Sequence, residues 1–193
     1  MRILDLGCGA GTGLVKLGVT ESDEVIGVDI DNEALVIARQ RFPKRAFRAG
    51  AAENLPFANA SFDRVISNVA TPYMDIPTTL LEIHRVLAPG GQVWASVHPA
   101  SFTMGEIRKT SFHLLPLVFR LYVLGNGLWF HCTGKTLRFV NQRTESFQTE
   151  RGMRIAFRRA GFINTSFTRP EGPVGKRLIV QARKKNFELP AAA

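Results

Sequence analysis

Near its amino end the chain reads Ile3-Leu4-Asp5-Leu6-Gly7-Cys8-Gly9-Ala10-Gly11-Thr12-Gly13. Its first residues favour a short apolar strand, and the alternating glycines favour a tight turn that a ligand can approach closely. A helix that starts after such a turn offers free backbone N–H groups and a partial positive charge. The run therefore predicts a strand, a glycine turn and a helix that together bind an anionic group, such as a carboxylate or a pyrophosphate.

The spacing of the glycines helps to choose between these ligands. The dinucleotide fingerprint is Gly-x-Gly-x-x-Gly, but here Thr12 or Leu14 occupies its third position, depending on the frame. Asp5 would repel a pyrophosphate, whereas it would attract the ammonium group of an amino-acid ligand. The spacing and this carboxylate therefore disfavour a dinucleotide.

A second acidic position follows in the run Gly27-Val28-Asp29-Ile30-Asp31. Asp29 ends the second predicted strand, 20 residues after Gly9, where an acid can accept hydrogen bonds from both hydroxyls of a ribose. The alternative is that Asp29 caps the next helix. Asp31 and Asn32 are better placed for capping, and Asn32 is the expected N-cap because Glu33 follows it.

Strand and helix signals alternate along most of the chain. Strands are predicted at Arg2–Leu6, Glu24–Asp29, Ala46–Arg48, Phe62–Ser67, Gln92–Val97, Phe162–Arg169 and Arg177–Arg183; helices are predicted to start at Leu14 and Asn32 and to cover Pro77–Leu87 and Glu150–Ala160, with a turn at Pro89-Gly90-Gly91. This order predicts one α/β domain over residues 1–193, with a doubly wound, mostly parallel seven-stranded sheet, an antiparallel last strand and helices on both faces.

Residues 99–147 break the alternation, because no strand or helix period runs through them. They are rich in aromatic residues, which argues against disorder. We expect an insertion after strand five that forms a lid over the ligand crevice, with a homodimer interface as the alternative. Within it, the apolar run 112–130 is not expected to span a membrane, because it is interrupted by Pro116, Arg120, Gly125, Asn126 and Gly127.

Four further segments, in order, match a known family: Ala52–Phe57, Ser61–Asn68, Glu82–Gly91 and Arg159–Phe162. With the glycine turn and Asp29, they resemble the class I, Rossmann-like S-adenosylmethionine-dependent methyltransferases, in particular the quinone-biosynthesis C-methyltransferases. The resemblance is close over residues 3–98 and looser over 148–183. It implies S-adenosylmethionine as the cofactor.

The resemblance also implies roles for single residues. The cofactor's methionine part would lie against the glycine turn, its ribose against Asp29 and its adenine against Ile30 and the 51–53 segment, while Asn68 would face the methyl-transfer site. The implied cofactor-binding residues are Asp5, Gly7, Cys8, Gly9, Gly11, Asp29, Ile30, Ala52, Glu53 and Asn68. Asp5 would lie near the cofactor's amino group.

The sequence departs from the family pattern in two places. Ala51 stands where the family has an Asp that contacts the adenine amine, so the backbone N–H of Ala52 or the side chain of Glu53 is expected to substitute. The chain also begins at its first strand, whereas family members have helices before it. We expect either a truncated product or a natural variant in which residues 99–147 cover the cofactor in place of those helices.

The expected reaction is methyl transfer to a small, apolar or aromatic molecule. Tyr73 and His98 follow strands four and five and are the substrate-binding candidates; His113 and His131 lie in the insertion, and no catalytic residue is assigned. An RNA or protein methyltransferase is the alternative, because residues 101–193 carry 16 Lys and Arg against 5 Asp and Glu. Nucleic acid is not favoured, since no Asn-Pro-Pro-Tyr motif occurs. A non-catalytic cofactor-binding protein also stays open.

Composition adds an expected location. The two cysteines, Cys8 and Cys132, form neither a disulfide framework nor a metal-type spacing. No basic leader precedes the apolar strand at Ile3, so no signal peptide is expected. The sequence therefore predicts a cytoplasmic protein without a metal.

Overall fold

The computed structural model describes residues 1–13, 19–20, 22–109, 114–138, 144–170 and 177–186. Within these ranges the strands are β1 (Arg2–Leu6), β2 (Glu24–Asp29), β3 (Ala46–Ala49), β4 (Phe62–Asn68), β5 (Leu87–Val97), β6 (Phe162–Thr168) and β7 (Leu178–Lys184). The helices are α1 (Asn32–Arg41), α2 (Ile76–Val86), α3 (Ala100–Lys109), α4 (Leu114–Thr133) and α5 (Glu150–Arg159). The predicted helix start at Leu14, His113 and the tail from residue 187 lie outside the described residues.

The described strands form one sheet in the order β3-β2-β1-β4-β5-β7-β6. Neighbouring strands are parallel from β3 to β5, and β7 runs antiparallel to both β5 and β6. The predicted sheet and its final hairpin are thereby confirmed. The chain leaves β1 toward β2 on one side and later returns to β4 on the other side. Such a reversal of strand order opens a crevice at the carboxyl ends of the strands.

Helices cover both faces of the sheet, as predicted. Because side chains alternate along a strand, Leu4 and Leu6 of β1 pack on the side of α2 and α5, while Ile3 packs with Leu35 of α1 on the other side. In α5 the buried residues include Phe157, as expected from its spacing. Gly161, with a φ of +88°, ends the helix in the left-handed conformation that glycine adopts without strain.

Strand β5 begins earlier than predicted. The run Pro89-Gly90-Gly91 was predicted as a turn before the strand, but it lies inside β5, where the pairing with β4 is irregular. Phe62 of β4 pairs with Leu87, and Arg64 pairs with Gln92. The extra residues of β5 are thus accommodated between two regular pairs. A proline and two glycines look like a strand-ending turn in sequence, but a bulge needs the same backbone freedom.

The segment after β5 also differs from the prediction, because much of it is helical. Both α3 and α4 lie in the stretch that showed no period. Pro116 falls in the first turn of α4, where a missing N–H costs nothing. Gly127 is required by packing, since a Cβ there would collide with the ring of Phe147. In the described part of the chain, no helix is both long and apolar enough to cross a membrane.

Candidate functional site

The glycine turn after β1 has the backbone that only glycine adopts without strain. Gly7, Gly9 and Gly11 have φ values of +71°, +50° and +77°. A Cβ on Gly7 would collide with Cβ of Ala70, whereas a Cβ on Gly9 would meet no atom within 4 Å. Gly7 is therefore needed for packing inside the protein, while Gly9 leaves open space above the turn.

Asp29 fixes this turn to the end of β2. Its Oδ2 accepts a hydrogen bond of 2.7 Å from the backbone N of Gly9, and its Oδ1 accepts one of 2.9 Å from the backbone N of Asp31. A carboxylate has about four acceptor positions, so two remain for hydroxyl donors. The N-cap of α1 is Asp31, whose Oδ1 accepts from the N of Glu33 and of Ala34, and the prediction of Asn32 as the cap was wrong. Asp29 is thus left free of the capping role.

Asp5 is a buried carboxylate with an unused acceptor. Among the described residues no group donates a hydrogen bond to its Oδ2. Burial raises the pKa of Asp5 to about 7, and the negative charge of Asp29 adds to the effect. A buried acceptor without a donor fits a positively charged ligand group such as an ammonium. Asp5 itself does not line the cleft described next.

A cleft of about 590 Å³ opens at the carboxyl ends of β1 and β2, a size typical of small-molecule sites. It is lined by Leu6, Gly7, Val28, Asp29, Ile30, Gly50, Ala51, Ala52, Glu53, Ala70, Tyr73, Met74, Asp75, Arg138 and Thr144. Six of the predicted site residues are among them, from Gly7 to Tyr73. Ile30 is 78% exposed, which is unusual for an isoleucine and leaves its side chain available to a flat ring.

The 51–53 segment is held in place from α2. Oε1 of Glu53 accepts a hydrogen bond of 2.8 Å from the backbone N of Asp75, just before α2 begins. Oε2 of Glu82 in α2 accepts one from the N of Leu55, also at 2.8 Å. One carboxylate oxygen of Glu53 thereby has a backbone donor, and the wall of the cleft around Ala52 is fixed.

The other predicted cofactor residues lie outside the cleft lining. Gly9 and Gly11 belong to the turn at its edge, and the thiol of Cys8 points into the core, where burial raises its pKa to about 12. Oδ1 of Asn68 accepts a hydrogen bond of 2.7 Å from the hydroxyl of Ser96. Cys8 can therefore reach a ligand only through its backbone, and Asn68 is oriented by β5.

Tyr73 and His98, the two substrate-binding candidates after β4 and β5, contact each other. Their rings pack edge to face with centroids 5.8 Å apart, and His98 stacks on Phe102 at 4.0 Å. His98 is buried, and this burial, with the charge of Arg177, lowers its pKa to about 4. The imidazole is therefore neutral at pH 7. Only Tyr73 of this pair lines the cleft.

Two lining residues that the sequence did not indicate, Arg138 and Thr144, come from the segment after β5. Asn126, only 1% exposed, binds the backbone on both sides of them. Its Oδ1 accepts from the N of Leu137 at 2.7 Å, and its Nδ2 lies 3.0–3.2 Å from the carbonyls of Leu137, Thr144 and Glu145. An isolated polar residue in the apolar run 112–130 was the one sequence signal for this anchor.

The segment after β5 leaves the sheet and meets the end of β5 again just before α5 begins. The backbone N of Gln148 donates a hydrogen bond of 2.8 Å to the carbonyl of His98, and the N of His98 donates one of 3.1 Å to Oε1 of Gln148. Residues 99–147 therefore form an excursion whose two ends are joined directly.

Comparison with known proteins identifies the family. The family model described as "Methyltransferase domain" matches residues 4–95. A demethylmenaquinone methyltransferase of Lactococcus lactis is 33% identical over 184 residues, which cover 89% of this chain and 69% of that protein. The bifunctional biotin biosynthesis protein BioHC of Cellvibrio japonicus is 40% identical over 97 residues, and this match covers 49% of the chain but only 19% of that much longer protein.

Solved structures agree on the fold. A S-adenosylmethionine-dependent methyltransferase of Methanosarcina mazei superposes with a TM-score of 0.65 over 96% of this chain and 92% of its own length, at 20% identity. This similarity concerns the fold, and the Lactococcus relative carries the family assignment. The chain belongs to the class I, Rossmann-like methyltransferases, whose cofactor is S-adenosylmethionine.

Proposed function

We propose that this protein transfers a methyl group from S-adenosylmethionine to a small, apolar or aromatic molecule. The observation that carries the proposal is the lining of the cleft, in which Gly7 and Asp29 stand together with Ala70, Tyr73 and Met74. The name of the Lactococcus relative gives demethylmenaquinone as that protein's substrate. We propose a substrate of similar apolar character here.

The residues at the cleft suit the parts of the cofactor. Asp29 suits the ribose hydroxyls, and the exposed side chain of Ile30 suits the adenine ring. Asp5 lies outside the cleft lining, and its Oδ2, which has no partner among the described residues, suits the ammonium group. Ala51 brings no carboxylate to the adenine amine, so the backbone at Ala52 takes that place. When bound, the cofactor supplies an electrophilic methyl group on its sulfonium.

The protein's own contribution to the transfer is alignment and exclusion of water. A neutral His98 with a pKa near 4 is a weak base and is enclosed between Tyr73 and Phe102. The pKa of Tyr73 is raised by burial, so its hydroxyl stays protonated and can donate a hydrogen bond to the acceptor molecule. The proposal therefore assigns Tyr73 to orienting the substrate.

The segment 99–147 is proposed as the lid of this site. Arg138 and Thr144 line the cleft, and Asp75 holds the same stretch through a 3.0 Å hydrogen bond from the hydroxyl of Thr136. Hydrogen exchange with and without S-adenosylhomocysteine tests this role. Protection of residues 136–138 and 144–148 by the ligand in a monomeric sample supports the lid. Protection that follows protein concentration instead assigns the segment to a dimer interface.

The activity itself is tested with S-adenosylmethionine that carries a labelled methyl group. The wild-type chain and the Gly9→Ala variant are incubated with metabolite extract, total RNA and protein. Label in an extractable small molecule, dependent on Gly9, supports the proposal. Label in RNA or protein alone, or binding of S-adenosylhomocysteine without any transfer, contradicts it.

A further inference from the structure

The outer side of α4 is an apolar stripe. At helical spacing it presents Leu117, Val118, Leu121, Gly125, Leu128, Trp129 and Cys132, all of them exposed and none charged. The stripe runs for about 22 Å along the helix axis, at 1.5 Å per residue. Monomeric proteins rarely leave a continuous apolar surface of this kind without a partner.

The opposite side of α4 is occupied by the protein itself. Val123, Asn126 and Phe130 are buried, and Asn126 holds the residues that line the cleft. No helix in the described residues is both long and apolar enough to span a bilayer, but α4 has one buried face and one exposed apolar face. It can lie flat at an interface with its apolar side toward the lipid tails. Trp129, on the stripe, is the residue type that favours such an interface.

The positive charge of the carboxyl-terminal half of the chain indicates the kind of partner. Residues 101–193 carry a net charge of +11. Among the described residues there, Glu106 and Glu145 lie within 4 Å of Arg120, and Glu150 lies within 4 Å of Arg169. Lys135 is exposed just beyond the end of α4. Two copies of so basic a half repel each other, whereas an anionic lipid surface attracts it.

We propose that the stripe of α4 docks the protein on the surface of an anionic lipid bilayer. Apolar side chains enter the region between headgroups and tails, and the basic half remains among the headgroups. This places the helix that anchors the cleft wall directly at the lipid surface. The proposal concerns binding alone, so it stands or falls independently of the proposed methyl transfer.

Vesicle co-sedimentation tests the proposal with a closely matched control. Leu121 on the stripe is 57% exposed, and Leu81 on α2 is 56% exposed. The full chain is mixed with phosphatidylcholine vesicles that contain or lack 30% phosphatidylglycerol. We expect binding to the anionic vesicles only, at least a tenfold loss in a Leu121→Gln, Leu128→Gln variant, and less than a twofold change in Leu81→Gln.

A spectroscopic readout locates the contact. Of the two cysteines, Cys132 is exposed on the stripe and Cys8 is buried, so a polarity-sensitive fluorophore can be attached to Cys132 selectively. Its emission should shift to the blue with anionic vesicles. Absence of vesicle binding, equal effects of the stripe and Leu81 variants, or equal binding to neutral vesicles would overturn the proposal. A dimer by light scattering that the stripe variant dissociates would also overturn it and assign the stripe to a second copy.

Discussion

Asn126 gives the sharpest test of how the cleft wall is held. In Asn126→Ala the bond accepted from the N of Leu137 is lost, together with one bond from each of the two amide hydrogens to the nearby carbonyls. Each neutral, buried hydrogen bond contributes about 1 kcal/mol. We expect the free energy of unfolding to fall by about 3 kcal/mol, measured by urea denaturation of the ligand-free protein.

Asn126→Asp separates the hydrogen bonds from simple packing. The carboxylate keeps an acceptor for the N of Leu137, but it places a negative charge against the carbonyls of Leu137, Thr144 and Glu145, where Nδ2 now donates. A buried negative charge that faces carbonyl oxygens costs more free energy than a small cavity does. Asp should therefore destabilise the protein more than Ala does, although it has nearly the shape of Asn.

Tyr122→Phe serves as a control for the same region. It removes the hydroxyl that donates a 2.6 Å hydrogen bond to the carbonyl of Leu137 and accepts one of 3.0 Å from Nδ2 of Asn126, so it should cost about 1–2 kcal/mol. Calorimetry with S-adenosylhomocysteine then reports on the cleft, because Arg138 and Thr144 lie beside the bonds that are lost. An Asn126→Ala loss below 1 kcal/mol, or an Asp variant more stable than the Ala variant, would refute this account of the anchor.

Three further predictions concern the glycine turn and its carboxylates. Asp29→Ala should weaken S-adenosylhomocysteine binding by at most about 1.5–3 kcal/mol per hydrogen bond lost, and an unchanged calorimetric Kd in a folded variant would remove Asp29 from the site. The pKa of Asp5 is raised from about 4 to about 7 on folding, so the folded state holds the extra proton and the free energy of unfolding should fall as the pH rises between these values; urea denaturation of Asp5→Asn at pH 5 and pH 8 should not show that fall. Gly9→Ala should fold, with only the cost of its positive φ, and lose the ligand, whereas Gly7→Ala should be strongly destabilised by its collision with Ala70; equal thermal stability of the two variants would contradict this.

The parallel half of the fold could be predicted from sequence because its signals are local. The glycines after β1 and the acid at the end of β2 each mark a strand end, and the carboxyl ends of parallel strands meet at one edge of a sheet. The family resemblance predicts one site for Gly7, Asp29 and Ile30, and all three line the cleft. The bulge in β5 was missed because Gly90 suits a turn and a bulge equally well.

The helices after β5 escaped prediction for a different physical reason. A period of 3.6 residues is visible only when one helix face is polar. In α4 the buried side carries Val123 and Phe130, and the exposed side carries Leu121 and Leu128, so both faces are apolar. Arg138 and Thr144 were missed because they lie outside helices and strands, and their positions depend on contacts with a residue that lies more than ten positions away along the chain.

The closure between His98 and Gln148 has a consequence for how such a protein can diversify. Because the chain departs and returns at one point, its 49 intervening residues can change in length and shape without moving the register of any strand. The contacts to preserve in such an exchange include that of Phe130, a residue of the main core, against Gly152 on α5. Residues 99–147 then form a replaceable cassette beside a sheet whose strands stay unchanged. A foreign cassette grafted between residues 98 and 148 should change the part of the cleft that Arg138 and Thr144 line, while the strands keep their register.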